Sequence, residues 1–174
     1  MNAAANEFGR LMAGLPRGIK GTNTMSFIRK DEVPQGRMVT YARFCCDFRP
    51  QKSEPHRCRI TVGGDRTDYI GEVSTKTADL TTIKCLLNSV VSKPKGRFMT
   101  ADIKNFYLNT PMDCPEYMQI SIKNIPNEII EEYKVNDLVH EGYAYCKIVK
   151  GVYGLPQAGR LANKLLEKRL KPHG

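Results

Sequence analysis

The sequence is short of long apolar runs and of metal-spaced ligands. No stretch approaches the roughly 18 apolar residues of a membrane span, so a spanning helix is not expected. The start, Met1-Asn2-Ala3-Ala4-Ala5, has neither a positively charged opening nor an apolar run and does not read as a signal peptide. Cysteines at 45, 46, 58, 85, 114 and 146 form no Cys-x-x-Cys pair, and with three histidines they offer no zinc pattern. Without a secretory signal, reduced thiols in the cytoplasm or nucleus are expected rather than disulfides. Internal repeats and low-complexity segments are absent.

Of the 174 residues, 41% are hydrophobic and 26% charged, which is globular composition and argues against wholesale disorder. That length suits one domain or a compact pair of subdomains and buries a substantial core. The net charge of +9 is unevenly placed. Residues 1–60 hold 11 Lys/Arg against 5 acids, residues 147–174 hold 7 against 1, and the middle, 61–146, holds 9 against 12. Basic ends of this kind are the footprint of a polyanion, nucleic acid foremost; solvated lysines on a basic protein give the same count.

Residues 1–24 mix Gly and Ala with isolated basic residues, without a firm period, and read as an irregular or loosely helical lead-in. Met25–Ile28 suits a short strand. Met38–Phe48 and Arg57–Val62 are rich in strand formers and flank a proline-marked loop, which predicts a β-hairpin. Arg57 and Arg59 share one strand face, with Lys52 and His56 near the tip. That arrangement suits a phosphate grip, or equally an edge strand guarded by its charges.

Thr77–Val91 predicts a helix capped by Thr77, its stripe of Leu80, Ile83, Leu86, Leu87, Val90 and Val91 directed to the core. The segment Arg97–Tyr107 then predicts a buried strand with Phe98, Thr100 and Asp102 on one face and Met99, Ala101 and Ile103 on the other. A carboxylate at the strand end, Asp102, is a candidate metal ligand; a turn former or helix cap is the plainer reading. Further strands are predicted at Tyr117–Ile122 and Tyr143–Val149. A short helix after Pro126 and a closing helix from about Gln157 to Leu170 complete the chain. Strands and helices interleave without a βαβ rhythm, so the class is α+β.

Three stretches, in order, resemble the reverse transcriptase (RNA-dependent DNA polymerase) region of long-terminal-repeat retrotransposon Pol polyproteins. They are Arg57-x-Arg59-x-x-Val62, Met99-Thr100-Ala101-Asp102-Ile103-Lys104-Asn105-Phe106-Tyr107-Leu108-Asn109, and Gly151-Val152-Tyr153-Gly154-Leu155-Pro156-Gln157-Ala158-Gly159. The resemblance implies an incomplete right-hand polymerase fold, fingers plus the N-terminal part of the palm. Its expected divisions are a lead-in at 1–24, fingers at 25–96 with a palm-packing helix at 77–91, and a palm strand at 97–112. A fingers insertion at 113–154 and a palm helix at 155–174 follow.

The family's reaction is an in-line attack of a primer 3′-hydroxyl on the α-phosphate of a deoxynucleoside triphosphate, with two divalent ions bridging the reacting oxygens. By resemblance Asp102 is the first catalytic aspartate and a ligand to Mg²⁺, or to Mn²⁺ in its place. The backbone of Ile103 is expected to face the triphosphate. Arg59, with Lys52 or Arg57, is expected to grip its phosphates, Tyr107 to lie under the sugar and exclude a 2′-hydroxyl, and Gln157 to contact nucleotide and template. Packing for Tyr107 and capping for Gln157 are the plainer readings of those two residues. Implied partners are an RNA template, a DNA primer, their hybrid, and the rest of the Pol polyprotein. The implied setting is intracellular, a cytoplasmic virus-like particle or the nucleus. The family's second element, an Asp-Asp pair on a later hairpin, does not occur in the sequence. The expectation is therefore a fragment, inactive alone, with an unpaired edge and exposed apolar surface where the palm is incomplete. The competing expectation is a non-enzymatic basic nucleic-acid-binding protein derived from a decayed element. No residue pattern specifies an oligomeric state.

Overall fold

A computed structural model describes residues 3–75 and 77–173; Met1, Asn2, Lys76 and Gly174 lie outside them. The fold is α+β. Its elements are α1 (Ala3–Leu11), β1 (Gly14–Leu15), β2 (Ile19–Lys20), β3 (Met25–Ile28), β4 (Val39–Phe48), β5 (His56–Val62), α2 (Leu80–Val91), β6 (Pro111–Ser121), α3 (Asn127–Glu132), β7 (Tyr143–Lys150) and α4 (Ala158–Leu170). β1 and β2 make a two-stranded ribbon, and the other strands form one sheet in the order β3-β7-β6-β4-β5.

β4 serves two neighbours. Its start, Val39–Tyr41, runs parallel to Tyr117–Gln119 of β6. Its remainder pairs antiparallel with β5, from Ala42 opposite Val62 to Phe48 opposite His56, forming the predicted hairpin. Alternation along β5 turns Cys58, Ile60 and Val62 inward and leaves Arg57 and Arg59 half-buried on the other face.

The lead-in is ordered more firmly than its composition suggests. Ala5, Phe8, Leu11 and Met12 are all buried. The ring of Phe8 lies 6.2 Å from Phe27 and 6.1 Å from Phe44, so α1 closes one face of the sheet. Burying one such ring contributes roughly 1.5–3 kcal/mol. Tyr133, just past α3, donates its hydroxyl to the Gly14 carbonyl at 2.5 Å and fastens the ribbon to that helix.

Three expectations fail in the stretch between β5 and β6. α2 forms, but its N-cap is Asp79, whose carboxylate accepts the Thr82 N–H at 2.8 Å, in place of Thr77. None of its residues is buried; Leu80, Leu86 and Val91 are 64%, 59% and 85% exposed. The stripe has the helical period, yet no layer of the described residues covers it. Residues 97–103 form no strand. The period-two pattern is present, but no described strand lies alongside to take up its backbone hydrogen bonds, and Phe98 and Met99 face solvent. The remaining strand and helix expectations hold, β6 running longer than its predicted span. No described helix is long and apolar enough to cross a membrane.

Candidate functional site

The site grows from the end of β5. The turn after β7 folds back on this strand: the Val62 N–H donates to the Tyr153 carbonyl at 2.8 Å. Gly154 makes this approach possible. Its φ is +97°, and a Cβ there would stand 2.1 Å from the Val62 carbonyl oxygen. The turn thereby sets the Tyr153 ring under Arg59, whose guanidinium carbon lies 4.8 Å from the ring centroid.

Tyr107 meets the same ring edge-on, at 5.4 Å and 62°. It sits in a single 3-10 turn, Tyr107–Asn109, entered through Asn105 in the left-handed conformation (φ +56°). Buried Leu108 anchors the turn, its carbonyl accepting from the Thr24 hydroxyl at 3.2 Å. Gly151 lets the chain pass close by, since a Cβ there would lie 2.9 Å from the Tyr107 carbonyl oxygen. Arg59 and Tyr107, 48 positions apart, are therefore joined through one intervening ring.

Positive charge concentrates beside this stack. Arg57 is drawn below the ordinary arginine range by burial first and then by the neighbouring Arg59 and Arg49 guanidiniums. The Nε of Arg59 is buried with no hydrogen-bond partner. A buried donor without an acceptor, on an arginine crowded by other cations, suits an incoming anion. Lys52 stands in the exposed hairpin tip, where its N–H donates to the Arg49 carbonyl at 3.0 Å.

Gln157 is engaged elsewhere. It is 3% exposed and donates its side-chain amide to Glu116 Oε1 at 2.9 Å. Glu116 also pairs with Arg37 at 3.2 Å. Burial pushes the Glu116 carboxyl above its usual range; Arg37 and Gln157 oppose the shift, and Asp68 adds to it. The side-chain oxygen Oε1 of Gln157 has no hydrogen-bond partner. These groups border a cavity of about 310 Å³ that also meets Tyr69 and Met112. Glu116 was not singled out in the sequence, although alternation with Met118 and Ile120 places it on the inward face of β6.

Asp102 and Ile103 lie in the exposed, irregular segment before Tyr107. Ile103, 46% exposed, borders a small cavity of about 70 Å³ against Leu165 and Leu166 of α4. No hydrogen bond, ion pair or ring contact joins Asp102 to Arg59, Tyr107 or Gln157, and among the described residues no group of three His, Cys, Asp or Glu gathers to hold a metal. Beside this segment a groove of about 560 Å³ is lined by Arg10, Lys20, Lys104, Asn105 and Asn109, with no acid among its lining residues. The isolated basic residues of the lead-in were the sequence signal for that groove. No protein-family model, curated protein or solved structure matches this chain.

Proposed function

We propose that the chain is the fingers and N-terminal palm portion of an RNA-directed DNA polymerase, binding a deoxynucleoside triphosphate and an RNA–DNA hybrid. The observation that carries the reading is the Arg59–Tyr153–Tyr107 stack. It brings together one residue from each of the three stretches that resemble the family. Arg59, with its unpaired buried Nε, and Arg57 would take the triphosphate oxygens, where positive charge stabilises the departing pyrophosphate. Tyr107, fixed edge-on by Tyr153, would present its ring to the sugar. The basic groove of Lys20 and Lys104 suits a phosphodiester backbone running past the Asp102 segment.

Asp102 is exposed and would supply one oxygen ligand to Mg²⁺ or Mn²⁺. A single carboxylate does not hold two ions, and the described residues gather no others around it. Phosphoryl transfer is therefore not assigned to this chain alone, and primer extension by it is expected to be absent.

The test is binding of the full chain to an RNA–DNA hybrid, read by fluorescence anisotropy over a series of salt concentrations. Affinity should fall steeply with salt, and Lys104→Ala in the basic groove should weaken binding and reduce the salt slope by about one. Mg²⁺-dependent binding of a deoxynucleoside triphosphate should be lost in Asp102→Asn. Hybrid binding without any triphosphate binding would instead favour a non-enzymatic nucleic-acid binder built on the same basic hairpin. Absence of both would defeat the two readings together.

A further inference from the structure

The hairpin that carries Arg57 and Arg59 also carries a thiol pair. Cys46 of β4 and Cys58 of β5 are directly opposed in register. Opposed residues of an antiparallel pair have Cα atoms about 4.5–5.5 Å apart, inside the window of about 4.4–6.8 Å that a disulfide accepts. Their sulfurs lie 3.5 Å apart, the Cys46 thiol directed at the Cys58 sulfur. Small χ1 rotations within the existing backbone would close that gap to the roughly 2.0 Å of a bond. The two thiols are not equivalent, since Cys58 is 4% exposed and Cys46 is exposed. Both border an open cleft of about 510 Å³ between the start of α1 and the hairpin, together with Arg57 and His56. A small polar molecule can therefore reach the pair. Cys45, next in sequence, is opposed to Arg59 and not to a thiol.

We propose that Cys46 is a site of oxidation by hydroperoxides and that Cys58 resolves it into a cross-strand disulfide. The Cys46 sulfur attacks the O–O bond of the hydroperoxide; an S–O bond forms, the O–O bond breaks, and an alcohol (water, from hydrogen peroxide) leaves with the thiol proton. The Cys58 sulfur then attacks the sulfenic sulfur. The S–S bond forms, the S–O bond breaks, and water leaves with the Cys58 proton. The two sulfurs give up two electrons in all, and the hydroperoxide takes them. Burial, with the adjoining Cys46, pushes the Cys58 thiol up, and its 4% exposure shields it from the oxidant, so the first attack falls to the exposed Cys46. The bridge would pin β5 between its two arginines. This inference stands on the hairpin alone and does not depend on the polymerase reading.

The experiment treats the full chain with hydrogen peroxide in the presence or absence of dimedone, which traps sulfenic acid, and maps the peptides by mass. The wild type should yield a Cys46–Cys58 linked peptide. Cys45→Ser should yield the same link, Cys46→Ser should yield none, and Cys58→Ala should accumulate the dimedone adduct on Cys46. Cys46 is exposed, so Cys46→Ser keeps the test valid if Cys58→Ala fails to fold. Without dimedone, a wild type that leaves Cys46 reduced, oxidises it without linking it to Cys58, or links Cys58 to another cysteine would overturn the proposal.

Discussion

In β6, Met118 and Ile120 are 0% and 2% exposed, whereas in α2 Leu86 and Val91 are 59% and 85% exposed. Both stretches carry apolar residues at the period of their element. β6 lies between two strands, with β7 on one side and β4 on the other. α2 has a well-made cap at Asp79 but no buried residue. Periodicity states which side chains share a face; it does not supply the layer that covers the face. The hydrophobic contribution of a stripe is realised only where water is excluded.

That contrast can be tested most forcefully in the sheet. Met118→Ala, at a fully buried position, should cost about 2–5 kcal/mol, measured as a shift in the urea midpoint. Leu86→Ala in α2 should cost under about 1 kcal/mol in the same measurement, because the side chain is already wet. Equal costs would break the distinction between the two regions.

A smaller effect comes from buried carboxyls in the well-packed part. Burial raises the Glu7 pKa, with Arg10 opposing the shift most strongly, and Glu116 is raised for the same reason. A carboxyl whose folded pKa lies above its unfolded value holds its proton more tightly when folded. Its contribution to stability is therefore fully present below the unfolded pKa and is lost as pH rises through the folded pKa. Glu7→Gln cannot ionise. Its urea midpoint should gain on the wild type as pH rises above about 4.5, and a difference that stays flat with pH would contradict the burial of that charge.

The parts of the fold legible in the sequence were those where a local pattern and a tertiary partner agree. The β4–β5 hairpin follows from two strand-forming runs around Pro50 and Pro55, and β7 from its run of Tyr, Ile and Val. The parallel pairing of β4 with β6 joins residues more than seventy positions apart, and no local signal encodes it. α1 was obscured because its buried face is built from Ala5, Phe8 and Leu11 among Gly and Asn, too few large residues to display a period. For the site, arginines and tyrosines stand out in the motifs, but their meeting through Tyr153 depends on a turn that returns to Val62 of β5 from 91 positions later. The engagement of Gln157 with Glu116 was hidden because alternation puts Glu116 on the inward face of β6 but does not say which distant residue, 41 positions on, meets it there.

The joint between Gly154 and Val62 bears on how the chain avoids misfolding. A hairpin strand that slips by one residue reverses the faces of every side chain. Here the Val62 N–H is already committed to the Tyr153 carbonyl, and the space beside its own carbonyl admits only a glycine. A slipped β5 would offer that turn a different residue and a mismatched shape. The turn thus works as a gauge that accepts one alignment of the hairpin and rejects its neighbours, so the arginine face is checked by a segment made long after it.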